Sequence, residues 1–90
     1  MQPGAYILRR SGRVAYTGRS DKNVVGRAVD SSRFGPYDSE IEVRIATSAR
    51  QAYLEECRLY HRHRPADNDR HPAVPPGANW RCPVRGCPWS

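Results

Sequence analysis

The stretch SARQAYLEECRLYHRH, residues 48–63, decides the fold because it predicts one long amphipathic helix. At about 100° per residue, its apolar side chains fall on one face. The members of this face are Ala49, Ala52, Tyr53, Leu59 and Tyr60. Glu56 lies near the centre of the same face, although ionised carboxylates are rarely buried without a partner. The pattern predicts a raised proton affinity or a neighbouring cation or metal; the alternative is that Glu56 reaches solvent or pairs with an arginine.

The ends of this helix are marked by local signals. Thr47 or Ser48 is expected to cap its first turn, with Gln51 completing a capping box from Ser48. Pro65 is expected to end it, because a proline ring clashes with the preceding turn and has no backbone N–H. The helix therefore ends shortly after residue 63.

Upstream of the helix, the sequence predicts a hairpin of two strands. The β-prone runs Tyr6–Arg9 and Val14–Thr17 flank the pair Ser11-Gly12, which is typical of a tight turn. Residues 31–39 contain Gly35-Pro36 and are expected to form a loop. A third strand is expected over Ile41–Ile45, where apolar residues alternate with charged ones.

A shorter helix is expected between the hairpin and the third strand. Its apolar residues recur at helical spacing after the candidate cap Ser20-Asp21. They are Val24, Val25, Ala28 and Val29. The order β-β-α-β-α predicts an α+β fold, with a three-stranded mixed sheet (the hairpin plus one strand) packed with helices. Residues 1–68 are expected to form the main domain, and residues 69–90 a proline-rich, cysteine-containing tail packed on it.

Charge narrows the class of partner. Fifteen Lys and Arg residues against nine Asp and Glu give a net charge of +6, and Lys22 is the only lysine. Guanidinium groups suit bidentate contact with phosphate, so a nucleic acid is the favoured partner. No segment is apolar enough to indicate membrane binding, and residues 1–20 lack the apolar centre of a signal peptide. An intracellular, cytoplasmic location is expected; oligomeric state is not readable.

The cysteines predict a zinc-knuckle-like tail. Cys57 and His61 are four positions apart on the long helix and share a face, while Cys82 and Cys87 bracket a short loop. A helical C-x3-H pair and a C-x4-C loop together supply four tetrahedral zinc ligands. His63 and His71 are rival fourth ligands. The alternative is a buried Cys57, with Cys82 and Cys87 free or joined in a disulfide.

Several residues occur on the predicted elements in an order that is more specific than any one of them alone. They are Gly4-Ala5-Tyr6 on the first strand, Tyr16-Thr17-Gly18 and Arg19 on the second, Arg27 and Glu56 on the two helices, and Asn68 beyond the second helix. In this order, roughly residues 3–68 resemble the GIY-YIG nuclease superfamily. The run Leu59–Asn68 is similar to the nuclease domain of the bacterial excision-repair incision subunit, in which an asparagine past the helix helps shape the active site.

The resemblance implies an endonuclease that hydrolyses DNA phosphodiester bonds with a divalent metal. Structure-selective or weakly sequence-specific cutting is expected of it, rather than recognition of a long sequence. The resemblance also implies that Glu56 holds one Mg²⁺ or Mn²⁺ ion, and that Arg19 and Arg27 neutralise charge on the scissile phosphate. Tyr6 or Tyr16 would accept a proton from the attacking water, which requires a phenol pKa depressed from its usual value near 10. The choice between the two tyrosines stays open.

The sequence also departs from the family pattern. Ala5 and Thr17 stand where isoleucines are usual, and the segment from residue 18 to residue 27 is one residue longer. Ser31 stands one turn after the helical arginine, where family members usually carry His or Tyr; Tyr37 is a candidate substitute. These differences keep open an alternative function, a non-catalytic nucleic-acid-binding module with a structural zinc site.

Overall fold

The fold is built from one sheet with a helix on each of its faces. The computed structural model describes residues 1–90. In chain order its elements are β1 (Gly4–Arg10), β2 (Arg13–Ser20), α1 (Val24–Ser32), β3 (Ile41–Ile45) and α2 (Ala49–His63). The predicted α+β class and the predicted order of elements are confirmed. Neither helix has the combination of length and apolar character that is needed to span a membrane.

The three strands form a fully antiparallel sheet in the order β2-β1-β3. The prediction of a mixed sheet was therefore wrong. The reason lies in the connection: α1 returns the chain so that β3 runs in the same direction as β2, but β1 lies between them. The two strands that point the same way are never neighbours, so each ladder is antiparallel.

The central strand β1 is buried on both faces, which fixes the layers of the fold. Tyr6 and Leu8 pack against α1 through Val24 and Ala28. Ala5 and Ile7 point the opposite way and pack on the α2 side with Leu59. Alternate residues of a strand face opposite sides of its sheet, so a strand with apolar residues at both parities needs a cover on each face.

The first helix begins later than expected. Asn23, rather than Ser20-Asp21, is the N-cap, because its Oδ1 accepts a 3.1 Å hydrogen bond from the Gly26 N–H. The Ser20 Oγ instead accepts the N–H groups of residues 22 and 23 and forms a turn before the helix. At its other end α1 continues to Ser32, into a segment that was predicted to be loop.

The second helix begins and ends where local signals predicted. The Ser48 Oγ accepts a 3.1 Å hydrogen bond from the Gln51 N–H, so Ser48 is the N-cap. At the C-terminal end Arg64 adopts the left-handed conformation, with φ of 44°, immediately before Pro65. With its ends fixed at Ser48 and Arg64, the helix has Glu56 near its middle.

The segment after α2 runs along the free edge of β2. The Asp67 N–H donates a 2.9 Å hydrogen bond to the Ala15 carbonyl. The Asn68 side chain bonds the same strand twice, because its Oδ1 accepts from the Thr17 N–H and its Nδ2 donates to the Thr17 carbonyl, each at 2.9 Å. These bonds satisfy part of an edge that would otherwise lack a neighbouring strand.

Thr17 also presents a buried hydroxyl without a partner. Its side chain is fully buried, and its Oγ1 makes no hydrogen bond. We predict that Thr17→Val, which replaces this hydroxyl with a methyl group of similar size, raises the free energy of unfolding by about 1–2 kcal/mol. Urea denaturation measures the change, and Thr47→Val at an exposed position is the matched control. A destabilised Thr17→Val variant would contradict the prediction.

Candidate active site

An open cleft of about 700 Å³ lies at the edge of the sheet formed by β2. Groups from both faces of the sheet meet there, because α1 lines it from one side and α2 from the other. Its walls include Tyr6, Tyr16, Arg19, Arg27 and Glu56. Five of the six candidate catalytic residues thus meet in the structure, although Tyr6 and Glu56 are 50 positions apart in the sequence; the sixth, Asn68, does not line the cleft.

The hairpin register places the two tyrosines side by side. Their ring centroids are 6.1 Å apart, and the ring planes are inclined by 41°. Gly18 pairs with Tyr6 across the ladder, and a Cβ at Gly18 would lie 2.5 Å from the Tyr6 hydroxyl oxygen. A side chain at this position would displace the phenol, so glycine is needed for the close approach of ring and strand.

Ser31 takes part in the site through Tyr6. Its Oγ is 2.7 Å from the Tyr6 Oη, so the position where a His or Tyr was expected still contacts the phenol. Tyr37, the candidate substitute, points elsewhere, and its hydroxyl donates a 2.8 Å hydrogen bond to the Asp67 carboxylate. The hydrogen-bond partner of Tyr6 is therefore a hydroxyl group and not an imidazole or a second phenol.

The two tyrosines differ in burial. Tyr6 is only 2 % exposed, and this burial raises its pKa to about 12, although the Ser31 hydrogen bond acts in the opposite direction. The shift is opposite to the depression that was expected for a proton acceptor, so the Tyr6 phenol is protonated at neutral pH. Tyr16 is the more accessible of the pair.

Glu56 is held at the wall of the cleft by an arginine. The carboxylate is 8 % exposed, and its Oε1 accepts a 2.9 Å hydrogen bond from the Arg19 guanidinium. Arg19 is itself fixed by a 2.9 Å bond to Asp21 and by the ring of Tyr53, whose centroid is 5.2 Å away. The sequence pattern left a metal or an arginine pair as alternatives, and the structure contains the arginine pair inside the cleft.

The second oxygen of Glu56 is free of protein donors. Oε2 makes no hydrogen bond, while burial raises the pKa of the carboxyl group and Arg19 only partly offsets this effect. An unshared carboxylate oxygen at the wall of an open cleft is a ligand of the type that Mg²⁺ and Mn²⁺ prefer. The donor set therefore fits one hard divalent ion held mainly by Glu56.

The two arginines of the motif differ in their contacts. Arg19 makes ion pairs with two carboxylates, Glu56 and Asp21. Arg27 is exposed, lines the cleft and makes no ion pair or hydrogen bond through its guanidinium. The sequence predicted Asp21 only as part of a helix cap. The one sequence feature that could have indicated its ion pair with Arg19 is their spacing of two residues at the end of a strand.

Asn68 lies outside the cleft. Both of its side-chain hydrogen bonds go to the backbone of Thr17, which is the central residue of the segment Tyr16-Thr17-Gly18. Asn68 therefore anchors the strand that carries one cleft tyrosine and does not line the cleft itself. In this way it shapes the site through the backbone.

A separate group of metal-ligating side chains lies between α2 and the tail. The ligand atoms of His61, His71, Cys82 and Cys87 all lie within 4.8 Å of one another. Cys57, which the sequence pattern placed in this set, is outside it and packs against Tyr53 and Cys82. The three cysteines are free and buried. The group is thus His2Cys2. His71, one of the two alternative histidine ligands, takes the place that was predicted for Cys57, and the other alternative, His63, lies outside the group.

Comparisons with known proteins support the fold. No family model and no curated protein matches the chain. A solved structure of the GIY-YIG N-terminal endonuclease domain of UvrC from Thermotoga maritima, bound to magnesium, is 27% identical, with a TM-score of 0.61 over 74% of this chain and 83% of that one. A tyrosine-to-phenylalanine mutant of that domain, bound to its catalytic divalent cation, is 26% identical, with a TM-score of 0.63 over 77% and 84%. This chain therefore has a GIY-YIG nuclease-like fold, as the resemblance predicted.

The raised pKa of Glu56 makes stability depend on pH. Folding favours the protonated Glu56 carboxyl group. This group therefore stabilises the folded protein below its unfolded pKa, and the contribution is lost as pH rises through its folded pKa. We predict that Glu56→Gln has nearly wild-type stability at about pH 4 and becomes the more stable protein at about pH 8. Thermal unfolding across this range measures the difference. A variant that is less stable than wild type at the higher pH would show that the Arg19 pair outweighs the cost of burial.

Proposed function

We propose that this protein is a divalent-metal-dependent DNA endonuclease that acts at the β2-edge cleft. The observation that carries the proposal is the meeting of Glu56, Arg27 and the two hairpin tyrosines around one cleft. Its support from known structures is the likeness to an endonuclease domain that is bound to magnesium. The net charge of +6 suits a polyanionic substrate.

Glu56 would hold the ion through its free Oε2. A bound Mg²⁺ or Mn²⁺ supplies charge stabilisation for a phosphoryl oxygen and for the leaving oxygen. The remaining work falls to the side chains. Arg19 fixes the Glu56 carboxylate by its 2.9 Å bond and is a positioning residue. This assignment differs from the one implied by the resemblance, in which Arg19 neutralised the phosphate directly.

Arg27 is the group best suited to bind the scissile phosphate. Its guanidinium is accessible and carries no competing carboxylate partner, so all of its donors are free for phosphate oxygens. A cation that is already in place stabilises charge that builds on the non-bridging oxygens in the transition state. Arg27 would therefore act on the substrate, whereas Arg19 would act through Glu56.

Tyr16 is the better candidate for the proton acceptor. Tyr6 has a pKa raised to about 12 by burial, and its Oη is engaged with Ser31. A phenol in this state serves as a hydrogen-bond donor that orients the attacking water or the phosphate. Tyr16 lines the cleft and is more accessible than Tyr6. Because the two ring centroids are 6.1 Å apart, both phenols can face one substrate group.

The proposal includes a preference for DNA structure or for short sequences. The roles proposed for the cleft residues are contacts to phosphate, metal and water, which carry no sequence information, so flapped, branched and single-stranded DNAs are the first substrates to compare. It also includes an intracellular location, because three free thiols persist most readily in a reducing compartment.

The second candidate function is a nucleic-acid-binding module without catalysis. The Arg19–Glu56 pair favours it, because an arginine already occupies one oxygen of the carboxylate. In that case DNA binding would be salt-sensitive and indifferent to loss of Glu56, and no divalent ion would support cleavage. A single cleavage experiment therefore distinguishes the two functions.

We predict that Glu56→Gln lowers the cleavage rate by about 100-fold or more, because the amide removes the charged metal ligand but keeps the size of the side chain. Cleavage of the DNA panel is measured with Mg²⁺ and with Mn²⁺. Glu55→Gln is the matched control: Glu55 pairs with Arg44 outside the cleft, and its loss should change the rate by less than about twofold.

If wild-type protein cuts no DNA in the panel, or if Glu56→Gln cuts as fast as wild type, the endonuclease proposal fails and the binding module remains. Equal losses in the Glu55 and Glu56 variants would also count against it, because the neighbouring carboxylate lies outside the cleft.

We predict that Tyr16→Phe slows cleavage by about 100-fold or more at every pH, since it removes the proton acceptor. Tyr6→Phe should cost about tenfold, because it removes one oriented donor. Single-turnover rates over a range of pH separate the two variants. A larger loss in Tyr6→Phe than in Tyr16→Phe would reverse the assignment.

A further inference from the structure

We propose that His61, His71, Cys82 and Cys87 form a four-coordinate zinc site that fastens residues 70–90 to α2. The site is independent of the cleft, since none of its ligands lines it. Two imidazoles and two thiolates are a common ligand set for structural zinc. One ligand comes from the helix and three come from a segment that contains no helix or strand.

The distances suit a tetrahedral ion. Typical Zn–N and Zn–S bonds separate ligand atoms by about 3.3–3.8 Å in a tetrahedron. The His71 Nε2 and the Cys87 Sγ are 3.4 Å apart, and all four ligand atoms lie within 4.8 Å of one another. Small adjustments of side-chain torsion angles therefore bring the set to bonding distance.

His61 carries an independent sign of a missing ligand. Its Nε2 is buried and has no hydrogen-bond partner. Buried polar nitrogens are almost always satisfied, because an unpaired one loses its hydration without compensation. The orphaned atom belongs to one of the four residues of the group, and coordination of zinc through it would satisfy it.

The orientation of His71 is set by its surroundings. Its Nδ1 is 2.9 Å from the Pro72 carbonyl, which can only accept, so Nδ1 carries the proton and Nε2 presents its lone pair to the group. The ring also stacks on Trp89, with the planes inclined by 13°. A backbone acceptor on the distal nitrogen is the usual outer-shell support of a zinc-bound histidine.

The loop that joins the two cysteines turns tightly, because the Cys87 N–H donates a 3.3 Å hydrogen bond to the Val84 carbonyl. Gly86 adopts φ of +85°, a conformation that side chains rarely take, immediately before Cys87. The Trp89 N–H also donates a 3.4 Å hydrogen bond to the Cys87 Sγ. Such N–H donors stabilise thiolates, which is the form that binds zinc.

A structural role follows from the ligand count. Four protein ligands leave no open position for water or substrate. The two cysteine ligands pack with Tyr53 and Cys57 of α2, and Trp80 lies on the Tyr53 ring at 5.8 Å. Zinc would therefore close a small second core in a chain of 90 residues, where the main core is thin.

The test measures metal content and ligand identity in the full-length protein. Protein purified without added metal is expected to hold about one zinc ion per chain by elemental analysis. Replacement by Co²⁺ is expected to give the intense visible absorption of a tetrahedral ion, with charge-transfer bands of two thiolates. Metal-free protein that does not take up Zn²⁺ or Co²⁺, or an octahedral Co²⁺ spectrum, would overturn the proposal.

Matched variants test which residues are ligands. His71→Asn should lower zinc affinity by roughly 100-fold or more, while His63→Asn should leave it within about twofold, since His63 is outside the group. Cys57→Ser should keep about one zinc per chain, whereas Cys87→Ser should lose it. The opposite result, loss with Cys57→Ser and retention with His71→Asn, would overturn this ligand set. The Co²⁺ spectrum of wild type counts thiolates without relying on a variant that folds.

Discussion

The ion pair between Arg19 and Glu56 is the contact on which the cleft depends. A carboxylate that is 8 % exposed loses most of its hydration, and one 2.9 Å bond to a guanidinium returns only part of that cost. Arg19 is immobilised in turn by Asp21 and by the face of the Tyr53 ring. An apolar residue in place of Glu56 would suit the core better. The chain instead keeps an ionisable oxygen at the cleft wall, which is the arrangement expected where function outweighs stability.

The location of the cleft follows from the sheet. β2 is an edge strand, so side chains from the two faces of the sheet can meet around it: Tyr16 from the α1 side and Arg19 from the α2 side. The same edge would be open to unwanted pairing if the chain left it bare. Asp67 and Asn68 bond to its backbone, and so the segment that closes the edge also steadies the strand that carries the cleft residues.

The tail shows where helical spacing is insufficient. Cys57 and His61 share a face of α2, and this spacing alone favoured them as a ligand pair. The path of the tail over α2 selects a different ligand pair. Cys57 is covered by Tyr53 and the Cys82–Cys87 loop, whereas His71 lies beside His61. Nine residues, Pro65 among them, separate these two histidines in the chain, and no local rule specifies how that segment turns back.

The sequence by itself determined what depends on neighbours within about four positions. It placed α2 between Ser48 and Pro65, and it predicted the hairpin and the third strand, because capping, periodicity and turn chemistry are local interactions. The order of the motif residues also predicted the GIY-YIG-like fold, and it named five residues that the structure places around one cleft. Only the tertiary structure decided strand direction in the sheet, the pairing of Arg19 with Glu56 over 37 positions, and the contact of Ser31 with Tyr6. Many residues of the chain offer the same chemistry as these partners. Which of them meet is therefore determined by how the helices and strands pack in space.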